Sequence, residues 1–215
     1  MNNSEILSHV DHTYLKAFGT WNDIEKLCKE AIEHHTASVC IPPCYIKKVR
    51  ENYPDLNICT VIGFPLGYNT TQTKVFETVE AINDGANEID MVINITDAKA
   101  HNFDKITEEI KSIRGVCENK ILKVIIETCY LDEEEKIALC KCVSDAKADY
   151  IKTSTGFGIA GATVEDLNLF KKYINPSVKI KAAGGIKTKE DIDNFLNAGA
   201  DRLGSSSSIK ILNEK

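Results

Sequence analysis

Little in this 215-residue chain points to a metal, a nucleotide or a membrane. None of its 8 cysteines forms a C-x-x-C pair and no histidine stands at metal-ligand spacing from them, so in a reducing compartment they read as mostly buried thiols and zinc is not expected. No strand candidate runs into Gly-x-Gly-x-x-Gly, which leaves dinucleotide binding without support, and no cofactor is expected. No apolar run approaches the ~20 residues of a membrane span. The opening residues Met1-Asn2-Asn3-Ser4-Glu5 carry no basic stretch leading into an apolar one, so a cytoplasmic location is expected. Positive charge is short, with Lys+Arg 26 against Asp+Glu 32 and a net charge of -6, spread rather than blocked. That argues against nucleic acid or an anionic membrane as partner, although a small phosphorylated metabolite, held by local donors, stays compatible.

What is present is a regular alternation. The chain is 43% hydrophobic and of a length that suits one domain over residues 1–215. A short segment at His9 to Thr13 precedes a helical pattern opened by Thr20-Trp21-Asn22-Asp23, and the apolar run Ser38-Val39-Cys40-Ile41 follows. Strand candidates recur at Asn57 to Gly63, Glu88 to Asn94, Leu122 to Glu127, around Lys152, around Lys181, and at Arg202-Leu203-Gly204, each separated from the next by a helical pattern. The joints repeat: Asp84-Gly85-Ala86-Asn87, Ala146-Lys147-Ala148-Asp149 and Ala198-Gly199-Ala200-Asp201. Gly85 and Gly199 suit the left-handed residue that ends a helix. Eight strands alternating with helices predict a closed parallel (β/α)8 TIM barrel.

Three of these apolar strands contain an ionisable residue: Asp90, Lys152 and Lys181. An isolated buried ammonium is costly, so such a lysine finds a partner or loses its proton, and the second outcome makes an amine nucleophile. On the sixth and seventh strands the two lysines are neighbours at ~4.8 Å. At that distance and an effective dielectric of ~20, two ammonium groups repel by about 3 kcal/mol, enough to lower one lysine by about two units from ~10.4. A salt bridge from Asp90 to either lysine explains Asp90 equally well. Gly184-Gly185 and Gly204-Ser205-Ser206-Ser207 follow the last two strands, where barrels bind phosphate, so they supply candidate backbone donors and hydroxyls. Cys40 reads as packing, and His34-His35 as the close of a helix. Glu127 ranks below Asp90 as a base, because its neighbour Lys123 offers no comparable lysine pair and a rim salt bridge accounts for it.

Asp11-His12-Thr13-Tyr14-Leu15, Glu88-Ile89-Asp90-Met91-Val92, Lys152-Thr153-Ser154-Thr155-Gly156-Phe157, Lys181-Ala182-Ala183-Gly184-Gly185-Ile186 and Arg202-Leu203-Gly204-Ser205-Ser206-Ser207 resemble, in order and spacing, the motifs of the deoxyribose-phosphate aldolase family. The resemblance spans nearly the whole chain. It implies a class I, Schiff-base aldolase on a TIM barrel that reversibly cleaves 2-deoxy-D-ribose 5-phosphate to D-glyceraldehyde 3-phosphate and acetaldehyde. It further implies Lys152 as the nucleophile, Lys181 as the cation lowering its pKa, and Asp90 as the acid/base. Gly184, Gly185, Gly204, Ser206 and Ser207 match the phosphate site, while Thr155, Asp11 and Thr13 match polar positions near the sugar hydroxyls. Phe157 departs from relatives with a basic residue there, which removes one charge contact to phosphate.

Three other readings fit a phosphate-binding barrel. A different Schiff-base aldolase would use the same lysines, a sugar-phosphate isomerase needs a carboxylate base but no imine, and a silent sensor needs neither. The sequence leaves the oligomeric state open, a homodimer included.

Overall fold

The computed structural model describes residues 1–213. Eight parallel strands close into one barrel in sequence order: β1 (Val10–Thr13), β2 (Ser38–Ile41), β3 (Ile58–Ile62), β4 (Glu88–Val92), β5 (Ile121–Ile125), β6 (Tyr150–Lys152), β7 (Lys179–Ala183) and β8 (Arg202–Ser205). Closure comes from β8 pairing with β1, Val10 against Leu203 and Asp11 against Gly204. The helices are α1 (Asn3–Leu7), α2 (Trp21–His34), α3 (Ile46–Asn52), α4 (Thr71–Asn83), α5 (Ile95–Lys99), α6 (Phe103–Cys117), α7 (Glu133–Asp145), α8 (Val164–Tyr173), α9 (Lys189–Ala198) and α10 (Ser208–Asn213). The expected (β/α)8 barrel is therefore observed; of the expected domain 1–215, residues 214–215 lie outside the described part. Among the described residues, no helix is long and apolar enough to cross a membrane.

The strands are buried on both faces, which is why β3 (Ile-Cys-Thr-Val-Ile) and β5 (Ile-Leu-Lys-Val-Ile) read as apolar runs rather than alternations. The helices cover them with one apolar stripe each. On α2 the buried residues are Ile24, Leu27, Cys28 and Ala31, the i, i+3, i+4, i+7 spacing of a helix with one face inward. Start signals are local: at α7, Asp132 accepts the Glu135 N–H at 2.9 Å and Glu135 accepts the Asp132 N–H at 2.8 Å.

The repeated joints have one physical form. Ala86, Ala148 and Ala200 each donate a backbone N–H to a carbonyl five residues back, on Ala81, Val143 and Phe195. The residue before each alanine is left-handed: Gly85 at φ 110°, Lys147 at 56° and Gly199 at 105°. The next residue caps the preceding strand, since Asn87 accepts the N–H of Ile58, Asp149 that of Leu122 and Asp201 that of Ile180. Each joint thus sets both the end of a helix and the register of the strand that follows.

Elements without an expectation from sequence are α1, α5 and two 3-10 turns at Pro43–Tyr45 and Thr128–Tyr130. All are one or two turns long, too short for periodicity to appear. The left-handed lysine yields a stability expectation. Lys147→Gly raises the unfolding free energy by about 1 kcal/mol, while Gly199→Ala lowers it by about as much. Urea denaturation of both variants beside the parent checks the pair.

Candidate active site

Strands β1, β4, β5, β6, β7 and β8 send charged side chains into the barrel, where they meet in one cluster. Asp90 is at its centre. Its Oδ2 lies 2.7 Å from Lys152 Nζ and 2.6 Å from Lys181 Nζ, and its Oδ1 lies 2.8 Å from Lys123 Nζ. Asp11 Oδ2 is 2.5 Å from Lys181 Nζ and 3.5 Å from Lys123 Nζ, and its Oδ1 is 2.5 Å from Arg202. Glu88 bridges Lys123 at 2.5 Å and Arg202 at 3.1 Å. β1 and β5 are on opposite sides of the barrel, so the Lys123 to Asp11 contact crosses its interior.

Four cations (Lys123, Lys152, Lys181, Arg202) thus meet three carboxylates (Asp11, Glu88, Asp90). Burial by itself raises the Asp90 carboxyl, but Lys123, Lys152 and Lys181 overcome it and hold the group well below the usual carboxylate range. Asp11 is held low in the same way, burial opposed by Lys123, Lys181 and Arg202. Conversely, burial disfavours the ammonium of Lys181, yet Asp11 and Asp90 keep it charged well above the ordinary lysine range. Lys123 is also held high, burial being outweighed by Asp11 and Asp90.

Lys152 and Lys181 are register partners across β6 and β7, as the strand count requires. Asp90 lies between their ammonium groups, so a repulsion reckoned for two bare ammoniums does not describe the pair. Lys152 differs from the others in two respects: it has one carboxylate partner within ion-pair distance, and it lines the main cavity. That cavity, about 800 Å³, opens at the C-terminal ends of the strands. Thr13, Thr155, Gly184, Gly185, Gly204 and Ser206 line it too. Gly184 and Gly185 have φ of 76° and 79°, and a Cβ on Gly184 would lie 3.1 Å from Gly161, so this wall carries no side chain. The segment leading into α8 straps the same turn, Ala162 donating to the carbonyls of Ala183 and Gly184.

Several expected residues sit elsewhere. Asp11, expected near sugar hydroxyls, is fully buried beneath the cavity, because Lys181, Arg202 and the Ser38 hydroxyl take its oxygens. Ser207 does not line the cavity; its hydroxyl donates to the Ile186 carbonyl at 3.4 Å. Cys40 packs against Cys59 and Val61 below the site. Cys40, Cys59 and Asp90 bring ligand atoms within 4.8 Å of one another, but a metal ion there would have to displace ammonium groups from Asp90.

Lys123, which the sequence reading ranks below the lysine pair, belongs to the cluster: it pairs with Asp90, Glu88 and Asp11. The signal was present, since Lys123 sits inside an apolar strand just as Lys152 and Lys181 do. Glu88 and Arg202 gave none, because each opens its strand, where a charge reads as rim.

A family model described as DeoC/LacD family aldolase matches residues 6–206. The chain belongs to the DeoC/LacD aldolase family. A deoxyribose-phosphate aldolase of Clostridium botulinum (strain Alaska E43 / Type E3) is 64% identical over 213 residues, 99% of this chain and 96% of that one. A deoxyribose-phosphate aldolase of Clostridioides difficile (strain 630) is 57% identical over 208 residues, covering 96% of this chain and 95% of the relative. A solved deoxyribose phosphate aldolase from Aeropyrum pernix, described as having a unique tetrameric structure, superimposes with a TM-score of 0.92 at 28% identity, over 98% of this chain and 91% of that chain. In this DeoC/LacD aldolase family member, all the charged residues of the cluster fall inside the matched span.

The cluster sets a pH profile. The carboxyls of Asp11 and Asp90 are depressed in the fold, so their contribution is complete above the unfolded value of ~3.9 and is lost as pH falls below it. Lys123 and Lys181 are raised, so theirs is complete below ~10.4 and is lost only as pH rises beyond it. Unfolding free energies measured by urea from pH 3 to 10 are therefore expected to drop below about pH 4. Lys123→Met, which removes one of the two cations on Glu88 and the ammonium on Asp90 Oδ1, costs about 3–5 kcal/mol at neutral pH in the same assay.

Proposed function

We propose that the protein is a class I aldolase that reversibly cleaves 2-deoxy-D-ribose 5-phosphate to D-glyceraldehyde 3-phosphate and acetaldehyde through a Schiff base on Lys152. One observation carries this reading: of the lysines clustered on Asp90, Lys152 is the one that lines the cavity, across from a glycine-lined wall. Lys152 is also the lysine of the cluster with a single carboxylate within ion-pair distance, where Lys181 has two and Lys123 three, so its nitrogen is the least committed to the cluster.

The chemistry needs an electron sink and a proton path. Lys152 Nζ attacks the aldehyde carbon C1, water leaves, and a protonated imine forms. The C3 hydroxyl then gives up its proton as the C2–C3 bond breaks. Its electrons move into the imine to give an enamine, and glyceraldehyde 3-phosphate departs. Protonation of the enamine carbon and hydrolysis release acetaldehyde and restore the lysine. Asp90, 2.7 Å from Lys152, passes protons through water; because it holds a proton weakly, it is a conduit rather than a store. Lys181 keeps Asp90 ionised and keeps positive charge beside the reacting nitrogen.

The phosphate goes to Gly184, Gly185, Gly204 and Ser206, where absent side chains allow close approach to backbone amides. Ser207 and Asp11 act from behind, Ser207 by holding the Ile186 turn and Asp11 by holding Lys181. Thr13 and Thr155 face the middle of the substrate.

Borohydride added with deoxyribose 5-phosphate is expected to trap an adduct that peptide mapping places on Lys152. Lys152→Leu abolishes both adduct and acetaldehyde release, and Lys181→Leu lowers kcat by orders of magnitude. An adduct on Lys181 alone would reverse the two roles, and turnover by Lys152→Leu would remove the imine altogether.

A further inference from the structure

Glu127 follows the end of β5 with φ of 55°, a left-handed conformation that costs a non-glycine residue about 1–3 kcal/mol. It is 1% exposed, and its carboxylate accepts from Thr155 on the cavity wall and, at 4.0 Å, from the Cys129 thiol. Thr155 donates its backbone N–H to both carboxylate oxygens, at 3.2 and 3.3 Å, and its hydroxyl donates to Oε2. Burial raises the Glu127 carboxyl, against the Thr155 bonds and the charge of Lys152, which lower it.

The hydroxyl of Thr155 is nearly spent. A threonine hydroxyl has one proton and two lone pairs. The proton goes to Glu127, and one lone pair accepts the N–H of Phe157 at 3.0 Å. One lone pair remains, on a residue that lines the cavity. Thr155 follows Lys152 by three residues, and the adjoining Gly156 lies 3.5 Å from the Cβ position of Gly184. A ligand reaching from Lys152 to the Gly184-Gly185 turn therefore passes Thr155 with its middle carbons.

We propose that Glu127 is a positioning residue that fixes Thr155 as a hydrogen-bond acceptor, so that the site selects phosphorylated aldehyde acceptors carrying a donor hydroxyl next to the aldehyde. This rests on the aldolase reading and deepens it. An acceptor without that hydroxyl leaves a buried lone pair unmatched, and sites built for a hydroxyl discriminate strongly against its absence. A Gln side chain at 127 can turn its amide toward Thr155, which frees the threonine proton and lets the hydroxyl rotate, so that it no longer presents a fixed acceptor to the substrate.

The test compares kcat/KM for condensing acetaldehyde with D-glyceraldehyde 3-phosphate and with 3-oxopropyl phosphate, its analogue without the 2-hydroxyl. The parent is expected to favour the hydroxylated acceptor by about a hundredfold or more. Glu127→Gln lowers that ratio at least tenfold. Thr155→Val lowers it as well, and adding Glu127→Gln to Thr155→Val changes it no further, because Glu127 acts through the hydroxyl. If Glu127→Gln does not fold, Thr155→Val and the Thr155→Ser variant, which keeps the hydroxyl and the ratio, carry the test. A ratio unchanged in Glu127→Gln, equal loss with both acceptors, or a ratio unchanged in Thr155→Val overturns the inference. Absence of product from the parent with either acceptor overturns the aldolase reading itself.

Discussion

The carboxylate of Asp90 touches three ammonium groups inside the barrel. A buried ion is tolerated only with partners that replace its lost hydration, and removing one partner leaves the rest exposed to that cost. Lys123, Lys152 and Lys181 come from three neighbouring strands, and Asp11, Glu88 and Arg202 tie the cluster to β1, β4 and β8. The register of six strands is thus bound up with one electrostatic arrangement. A slip by one residue in any of them would turn a charge toward the helices.

The joints that set this register lie at the opposite end of the barrel from the chemistry. Each left-handed residue and its Asn or Asp cap fix where the next strand starts, and the charged residue then falls at a set depth. At the other end the chain is freer, and there the glycine turn, the strap through Ala162 and the Glu127 to Thr155 bonds shape the cavity. This division between a stabilising end and a functional end is general for the fold.

The alternation of eight strands and helices was legible because both faces of the strands are buried and the joints repeat in sequence. Lys152 and Lys181 were legible because a cation in an apolar run is conspicuous, and the strand count made them neighbours. What charge each cation faces was not legible. Asp11, on the first strand, meets Lys181 only because the barrel closes, and Lys123 meets Asp90 through register. Glu127 could be seen as an acid at a strand end, but its partner Thr155 lies 28 residues on and depends on a left-handed turn. Long-range pairing of this kind leaves no local pattern.

Lys152 pairs with one carboxylate where Lys181 pairs with two and Lys123 with three, which makes it the lysine least tied to the cluster, kept for reaction rather than for stability. The most direct measurement is the unfolding free energy of Lys152→Met at neutral pH beside the parent, methionine being close to lysine in length and bearing no charge. The expected result is equal or greater stability with no aldolase turnover. A loss of more than about 2 kcal/mol, approaching that of a broken buried pair, would contradict the loose tie of Lys152 to the cluster and the division of labour built on it.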